Sequence, residues 1–266
     1  MRLIPRIFLF LTLLFLFVHI NAREKNQHVN PSKEDIKNTS IDAKKGVGLV
    51  ESSGFGDSQL NALHVAWYYN WNYKTNIHAS IEYVPMIFST NSTDAAVKVP
   101  ILLGYNEPDN PKQSNISVEK ALLTWPILTS KAQRIGSPAM AGNPVTGNWL
   151  SSFMQENPKV DFITVHWYKG PSAEKFTQDI ETICNTYKKP VWVTEFAPQT
   201  VSESKKKSTK YSQQEVNQFI QKAVAWMNRN SCVERFAWHD SKVGTSALFN
   251  ESGTLTETGK TYANAK

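Results

Sequence analysis

Two glutamates occupy positions where an apolar run of the sequence ends, and such positions can aim a carboxylate into a cleft. Glu107 follows the run 101–105 and precedes Pro108, whereas Glu195 follows the run 191–194. The residues around Glu195 are largely apolar, so we expect its carboxylate to be partly shielded from water, which is costly and therefore uncommon. Two carboxylates in different surroundings can divide between them the roles of nucleophile and general acid/base.

The segment around Glu107 has a second interpretation. Asn106, Glu107, Pro108 and Asp109 are all common in turns, so this motif alone fits a solvated loop equally well. Proline disfavours the helical region for the residue before it, and we therefore predict an extended backbone at Glu107.

Further polar and aromatic residues end three other apolar runs. The sixth run delivers His166 and Tyr168, the second delivers Trp67 and Tyr69, and the eighth delivers Trp238. A lone histidine is most often a core residue, but beside two carboxylates we predict a hydrogen-bonding role for His166. The apolar faces of pyranose rings stack on aromatic side chains, so we predict that these aromatic residues bind a sugar. Alternation along a strand directs only half of such residues inward.

The elements that must position these residues can be recognised from eight short runs that are rich in β-branched and aromatic residues. The predicted strands are 46–50, 65–71, 82–88, 100–105, 134–139, 161–168, 190–196 and 234–240. Between several of them the apolar residues recur with helical spacing. The predicted helices are 57–63, 91–97, 118–132, 149–156, 173–187 and 213–227.

Strands that alternate with helices favour parallel pairing, because a parallel connection needs a crossover of a dozen residues or more. Apolar strands also fit a sheet that is covered on both faces. Eight such units predict a single-domain α/β fold, a compact (β/α)₈ TIM-type barrel, whose chemistry lies at the C-terminal ends of the strands. An open doubly wound sheet is the alternative, and the lack of a glycine-rich phosphate loop after the first strand weighs against it.

The N-terminal part of the chain is predicted to lie outside this domain. Two arginines precede a short apolar stretch within residues 1–22, and a small residue ends it, which is the pattern of a secretory signal peptide. Residues 23–43 are polar and lack periodicity, which is typical of a flexible leader, and the domain then occupies 44–266. We therefore predict a secreted or periplasmic protein without stable membrane insertion. An uncleaved membrane anchor is the alternative.

Charge and cysteine content limit the partners that we expect. Much of the net charge of +6 comes from local lysine runs such as 205–207 and none from a basic stripe interleaved with aromatic residues, so we do not expect nucleic acid to bind. In an exported protein Cys184 and Cys232 can form one disulfide, with two separate buried thiols as the alternative. No metal site is predicted, because no ligand pairs stand at zinc-like spacing. Sequons, which favour surface loops, begin at Asn38, Asn91, Asn115 and Asn250.

A family resemblance adds to these patterns. The motifs GYNEPDN and VWVTEFAP resemble the catalytic motifs of clan A retaining glycosidases. Together with KKGVGL, YVPMIF, GSPA, DFITVHWY and RFAWHD, they stand in the order seen in glycoside hydrolase family 128, the endo-β-1,3-glucanase-like proteins. The resemblance extends over about residues 44–263. The segment VESSGFGD after the first strand departs from the usual pattern of the family, which leaves the preference for glucan length open.

The resemblance implies a double-displacement mechanism. Glu195 corresponds to the nucleophile, Glu107 to the general acid/base, and Asn106 to the residue that binds the hydroxyl beside the reacting carbon. The carboxyl groups of a retaining pair lie roughly 5–5.5 Å apart and those of an inverting pair about 6.5–9.5 Å apart, so their separation tests this prediction. Neither a metal nor an organic cofactor is needed.

The remaining matches concern support and substrate contact. His166 and Tyr168 correspond to supporting residues on the sixth strand, and Trp238 corresponds to the aromatic residue at the end of the eighth. Asp109 is expected to shape the loop rather than to react. The sequence thus predicts a monomeric endo-β-1,3-glucanase that acts on a β-glucan. The alternatives are a non-catalytic β-glucan-binding protein on the same barrel, a hydrolase of another polysaccharide, and a structural protein of a wall or surface.

Overall fold

A ring of parallel strands runs through the centre of the molecule. The computed structural model describes residues 43–51, 54–95, 97–199, 210–240 and 242–266. In this part of the chain the strands are β1 Lys45–Gly48, β2 Trp67–Tyr69, β3 Glu82–Tyr83, β4 Val99–Leu102, β5 Ala132–Ile135, β6 Ile163–Trp167, β7 Val191–Phe196 and β8 Val233–His239. All eight predicted strands are therefore present, most of them shorter than predicted. The predicted signal peptide and nearly all of the predicted leader lie outside the described residues, as does Asn38.

The strands close into a barrel, although two of its joints consist of isolated bridges. Six strands pair in the order β3-β2-β1-β8-β7-β6, and β4 pairs with β5, all of them parallel. A bridge from Met86 to Leu103 joins β3 to β4, and a bridge from Gly136 to Phe162 joins β5 to β6. A Cβ at Gly136 would lie 2.6 Å from the Phe162 ring, so the close approach at this joint requires glycine. The predicted α/β TIM-type fold is confirmed over the doubly wound alternative.

Helices cover the outside of the barrel. Over the described ranges they are α1 Asp57–Ala62, α2 Val118–Thr129, α3 Asn148–Gln155, α4 Ala173–Tyr187, α5 Gln213–Arg229 and α6 Glu257–Asn264, with 3₁₀ helices at Thr90–Ala95 and Gly244–Ser246. Three of them start at a serine that accepts a hydrogen bond from the third helical N–H: Ser117, Ser172 and Ser212. The predicted helix at 91–97 is the first 3₁₀ helix. No described helix has the length and apolar character that crossing a bilayer requires.

The barrel interior is filled by aromatic rings at the end where the strands begin, which we call the base. Trp67 packs against Trp192 with ring centroids 5.2 Å apart, and Phe162 stacks on Trp192 at 4.3 Å. The Arg235 guanidinium lies over the Trp192 ring at 4.7 Å and pairs with Glu82 at 2.8 Å. These packed side chains close the base, so a ligand can enter only from the opposite end of the barrel, where the strands end.

Two consecutive lysines fasten the start of the barrel to the ends of two helices. Lys44 Nζ donates to backbone carbonyls at the C-terminus of α5, including Asn230 O at 2.9 Å. Lys45 Nζ donates in the same way at the end of α6, to Ala263 O at 2.9 Å and Ala265 O at 3.3 Å. Ammonium groups at these positions satisfy the last helical carbonyls and complement the helix dipole.

A disulfide joins the outer layer to the barrel. It links Cys184 of α4 to Cys232, the residue that precedes β8. Because Cys232 stands where β8 begins, the bond lies toward the base and away from the strand ends. The sequons at Asn91, Asn115 and Asn250 are exposed.

Candidate active site

Glu195 lies within β7, and side chains from the ends of β2 and β6 hold its carboxylate. Its Oε1 accepts hydrogen bonds from the Tyr69 hydroxyl at 3.1 Å and from the Trp71 indole Nε1 at 2.6 Å. Its Oε2 accepts a hydrogen bond from the Tyr168 hydroxyl. Only 4% of the residue is exposed, which confirms that the carboxylate is shielded from water. These neutral donors compensate for the burial of a negative charge.

The surroundings of Glu195 favour its ionised form. Burial alone would raise the pKa of this carboxyl, but electrostatic interaction with the His166 and His239 imidazoles and the hydrogen bonds from Tyr168 and Trp71 outweigh burial and lower it. Burial and the charge of Glu195 raise the pKa of Tyr69 and of Tyr168 well above the usual value. Both phenols therefore keep their protons and act as donors.

Glu107 lies beyond the end of β4, in a loop. Its N–H donates to Ala139 O at 2.7 Å, which fixes the loop against the segment after β5. Its Oε2 accepts from Asn110 Nδ2 at 3.0 Å, and its Oε1 lies 2.9 Å from His166 Nδ1. The residue is 8% exposed. Glu107 is therefore buried and hydrogen-bonded, and the solvated-turn alternative is wrong.

The backbone of Glu107 differs from the sequence-based expectation. Its φ is +43°, in the left-handed region, so the predicted extended conformation is wrong. The Asn110 N–H donates to Glu107 O at 3.0 Å, which makes 107–110 a turn with Pro108 in its second position, where proline is favoured. This turn and the bond to Ala139 outweigh the local preference before proline. A left-handed non-glycine residue costs about 1–3 kcal/mol, which such contacts must offset.

Asp109 shapes the loop, as predicted. Its carboxylate accepts two backbone hydrogen bonds, from Ala141 N at 2.9 Å and from Gly142 N at 2.8 Å. The loop after β4 is thereby tied to the loop after β5. Glu107 and Asn110, on either side of Asp109 and Pro108, are held in place by this tie.

His166, at the end of β6, lies between the two carboxylates. Its Nδ1 is hydrogen-bonded to Glu107 Oε1, and its Nε2 lies 3.3 Å from Glu195 Oε1 without completing a hydrogen bond. Burial opposes protonation of the imidazole, but the charge of Glu195 and the charge and hydrogen bond of Glu107 raise the pKa of His166. One carboxylate oxygen of Glu107 lies within 4.8 Å of one of Glu195.

The group formed by Glu107, His166 and Glu195 is also compact enough to be considered as a cation site. Its atoms, however, already have partners. His166 Nδ1 is bonded to Glu107, and Glu195 Oε1 accepts from both Tyr69 and Trp71. A cation at Glu195 Oε1 would have to displace those donors. The arrangement therefore favours the handling of protons over the binding of a metal.

The structure brings several of the predicted binding residues together with the carboxylates. Tyr69 and Tyr168 contact Glu195, and His166 contacts both glutamates. Asn106 is buried beside Glu107, and among the described residues its Oδ1 has no hydrogen-bond partner. An unpaired buried amide oxygen is costly, so this atom is suited to accept a hydrogen bond from a ligand hydroxyl.

Trp67 and Trp238 do not reach the site, so their prediction as substrate-binding residues is wrong. Trp67 points into the barrel but near the base, where its indole donates to Lys44 O at 3.0 Å. Trp238 points outward between the barrel and the helices, where its indole donates to Ser246 O at 3.0 Å. Both side chains are fully buried and their N–H groups are occupied. Neither can stack on a ligand.

Three further residues belong to the site but were not among the site residues predicted from the sequence: Trp71, His239 and Asn110. The His239 ring packs edge-on against Trp71 at 5.4 Å and against Tyr168 at 5.6 Å. Burial lowers the pKa of His239, more than the charge of Glu195 raises it. The signal that could have found them is position, since His239 ends β8 as His166 nearly ends β6, and Trp71 is the last aromatic residue of its run.

Two cavities border residues that contact the carboxylates. A cavity of about 740 Å³ borders Trp71 and is lined by Glu51, Phe55, Asn70, Asn72 and His78 among others. A second one, of about 240 Å³, borders His166 and Tyr168 and is lined by Gly142, Asn143 and Lys169 among others. The first cavity lies beside the donor to Glu195, whereas the second also borders Asp179, Thr182 and Ile183 of α4 and so lies between the loop after β5 and the outer layer.

Comparison with known proteins identifies the family. A family described as glycosyl hydrolase catalytic core matches residues 47–262. A GH128 subgroup I endo-β-1,3-glucanase from Amycolatopsis mediterranei, solved with laminaripentaose, is 32% identical, with a TM-score of 0.73 over 84% of this chain and 100% of that chain. A GH128 subgroup VII oligosaccharide-binding protein from Cryptococcus neoformans is 26% identical, with a TM-score of 0.68 over 85% and 94%. No curated protein matches the sequence. The chain therefore belongs to the glycosyl hydrolase catalytic core family and, within it, to glycoside hydrolase family 128.

Proposed function

We propose that this protein is a retaining endo-β-1,3-glucanase in which Glu195 is the nucleophile and Glu107 the general acid/base. One observation carries the mechanism: a carboxylate oxygen of Glu107 and one of Glu195 lie within 4.8 Å of each other at the open end of the barrel. An inverting pair needs about 6.5–9.5 Å to admit a water between sugar and base, so this spacing favours retention.

In the first step Glu195 attacks the anomeric carbon. The bond from its carboxylate oxygen to that carbon forms while the bond to the leaving glycosidic oxygen breaks. Glu107 transfers its proton to the leaving oxygen at the same time. The lowered pKa of Glu195 supplies the ionised nucleophile that this step requires.

In the second step water hydrolyses the glycosyl-enzyme ester. Glu107, now ionised, accepts a proton from the attacking water, whose oxygen bonds to the anomeric carbon as the bond from that carbon to Glu195 breaks and releases the carboxylate. The Tyr69, Trp71 and Tyr168 donors then stabilise that charge again. His166 keeps Glu107 oriented through both steps by its hydrogen bond to Oε1.

The substrate class rests on the relatives and on the shape of the site. The Amycolatopsis mediterranei relative is an endo-β-1,3-glucanase in complex with laminaripentaose. Here, the cavity that borders Trp71, the donor to Glu195, would let a polymer continue beyond the cleavage point on that side. Asn106 would bind the hydroxyl next to the anomeric carbon, because its Oδ1 lacks a partner.

A glucan-binding protein without turnover is the second candidate, because the Cryptococcus neoformans relative is an oligosaccharide-binding protein. Binding alone does not require an ionised, buried carboxylate opposite a second carboxylate. Both are present here, and the donors around Glu195 compensate for its burial. We therefore favour catalysis.

The deciding experiment is the release of reducing ends from a panel of soluble β-glucans that includes a β-1,3-linked one. We expect the wild-type protein to cleave the β-1,3-glucan and Glu107→Gln and Glu195→Gln to be inactive while still folded. Inactivity of the wild-type protein on every glucan, with retention on insoluble glucan in a pull-down, would establish the binding protein instead.

We also propose that the mature protein is secreted and monomeric. Cleavage after Ala22 would be seen by N-terminal sequencing of protein recovered outside the cell. A single globular domain should elute from a sizing column at the mass of one chain. Elution at twice that mass would contradict the monomer.

A further inference from the structure

Glu195 accepts hydrogen bonds from three side chains, and the Trp71 indole is the one of them that a loop, rather than a strand, positions. Tyr69 lies within β2, and Tyr168 directly follows β6, so strand pairing places both phenols. Trp71 stands two residues past the end of β2 and has a φ of +59°, a left-handed conformation that bulky residues rarely adopt. Something outside the sheet must hold this backbone in place.

Glu51 contacts the loop 70–76 at both of its ends. Its Oε1 accepts a hydrogen bond from Asn70 Nδ2 at 2.6 Å and another from the Thr75 hydroxyl. Its Oε2 accepts from the backbone N–H of Asn76 at 3.1 Å. One carboxylate therefore joins the residue before Trp71 to the residues at the far end of the same loop.

Asn70 extends this network around Trp71. Its Oδ1 accepts from Asn72 N at 3.0 Å and from the Tyr83 hydroxyl at 2.8 Å, and its Nδ2 also donates to Lys74 O at 2.9 Å. The Asn70 amide therefore connects Glu51 to Asn72 and Lys74, on the far side of Trp71. Asn72 is held in addition from β3 and the segment after it, since its carbonyl accepts from the Tyr83 hydroxyl at 2.6 Å and from Met86 N at 2.8 Å. Glu51 thus supplies the contacts that fix Asn70 and the far end of the loop.

We propose that Glu51 is a positioning residue for the nucleophile: by holding the loop 70–76, it places the Trp71 indole N–H against Glu195. The inference rests on the proposed function for the role of Glu195. Glu51 touches neither carboxylate of the catalytic pair. It lies in VESSGFGD, the segment whose sequence departs from the usual family pattern.

A positioning role of Glu51 and a direct effect of its charge can be distinguished, because they change the pKa of Glu195 in opposite directions. Removing the negative charge of Glu51 would by itself make Glu195 easier to ionise. Losing the Trp71 hydrogen bond would make Glu195 harder to ionise. The other titratable groups that face Glu195 are unchanged in the variants below: Glu107, His166, His239, Tyr69 and Tyr168.

The test uses the full chain with ¹⁵N-labelled tryptophan and compares wild type, Glu51→Gln, Trp71→Phe and the double variant. The indole signal missing in Trp71→Phe identifies Trp71, and its pH titration reports the ionisation of Glu195 without any need for activity. Thr75→Val removes one of the donors to Glu51 and serves if Glu51→Gln does not fold. Asp57→Asn removes an exposed acid near the loop and controls for charge.

We expect Glu51→Gln to move this titration midpoint, and the acid limb of kcat/KM, to higher pH, and to lower kcat about 10-fold. Thr75→Val should move both in the same direction by less, and Asp57→Asn should not raise either. In the Trp71→Phe background Glu51→Gln should not move the acid limb any further to higher pH. A midpoint that stays or falls in Glu51→Gln would overturn the proposal. A raised midpoint in Glu51→Gln, together with a wild-type protein that cleaves no glucan, would keep the positioning role and refute the proposed function.

Discussion

The two carboxylates of the site are held in different ways. Glu195 stands on a strand, and its oxygens accept hydrogen bonds from Tyr69, Trp71 and Tyr168. Glu107 stands in a loop with a left-handed backbone, and its oxygens contact only His166 and Asn110 among the described side chains. Three neutral donors bind the first carboxylate and a single amide binds the second, while the His166 imidazole lies between the two.

This difference matches two kinds of chemistry. A nucleophile must be ionised whenever substrate arrives, and fixed neutral donors keep it so. A group that gives up a proton and then accepts one must be stable in both forms, which a dense set of donors would prevent. The number of neutral donors around each carboxylate therefore separates the two proposed roles. The following experiments test that separation.

The largest effect should come from removing either carboxylate, and azide should reveal which role was lost. Glu195→Ala and Glu107→Ala are assayed on an aryl β-glucoside with a good leaving group. In Glu195→Ala, azide takes the place of the missing nucleophile, attacks the substrate directly and gives an α-glycosyl azide. Azide in Glu107→Ala attacks the glycosyl-enzyme and gives a β-glycosyl azide. Without azide, loss of acid/base catalysis lowers the rate on glucan by about 10²–10⁴-fold.

NMR of the azide products distinguishes the anomers. The same anomer from both variants would show that the roles are not divided as proposed. Glu195→Gln and Glu107→Gln provide matched variants that preserve side-chain volume.

A smaller effect is expected from Tyr168→Phe, which removes one donor from Glu195. A hydrogen bond to a charged group contributes about 1.5–3 kcal/mol, so kcat/KM should fall about 10- to 100-fold. The bond from Tyr168 helps lower the pKa of Glu195, so its loss raises that pKa. Since the ionised form is the active one, the acid limb of the kcat/KM profile should move to higher pH.

Tyr187→Phe is the matched control for this change. The Tyr187 hydroxyl, at the end of α4, donates to Pro144 O rather than to a carboxylate. Its loss should leave the acid limb in place. An unmoved limb in Tyr168→Phe would contradict the account of the Glu195 site.

On the Glu107 side, Asp109→Asn should loosen the loop without touching Glu195. The two carboxylate oxygens of Asp109 accept hydrogen bonds from Ala141 N and Gly142 N. Asparagine has only one such oxygen and can accept only one of these bonds. Small displacements of a reacting group are costly, and we expect kcat to fall about 10-fold with the acid limb unchanged. Steady-state kinetics across pH would measure both, and a shift of the acid limb would show that the two sites are not held separately.

The smallest effect on activity is expected from Cys184→Ser combined with Cys232→Ser. The disulfide closes a loop with a sequence separation of 48 residues, and its loss should lower the free energy of unfolding by about 4 kcal/mol. Because the bond lies toward the base, kcat at a temperature where the variant is folded should not change. Urea denaturation and kinetics on the same preparation would check this, and a large fall in kcat would show that the site depends on the outer layer.

Local sequence signals predicted the barrel and Glu195, whereas for Glu107 they left a solvated loop equally possible until the family resemblance was considered. Glu107 and Glu195 could be found because each ends an apolar run, and three helices start at serine caps that are recognisable in the sequence. The helix α6 was not predicted, because its buried face includes Thr258 and Gly259, which do not produce an apolar stripe.

Two properties of the side chains could not be predicted from the sequence: how far along the barrel axis each one lies, and whether it points inward or outward. Trp67 and Tyr69 both point inward, but only Tyr69 lies high enough to reach Glu195, and that depends on the register of β2 against β1. The register of β7 against β8 shifts between Val193 and Phe196, so inward and outward positions near Trp238 do not follow simple alternation. Glu107 adopts its left-handed backbone because of long-range contacts that no local signal contains.

The lysines at the start of β1 have a consequence for engineering. Lys45 Nζ reaches Ala265 O at 3.3 Å, so the first strand and the last residues of the chain meet at the base. A short linker from residue 266 to residue 44 would therefore allow a circular permutant with new ends in an outer loop. A solid support coupled at residue 266 would hold the barrel by its closed end and leave the carboxylates facing an insoluble glucan.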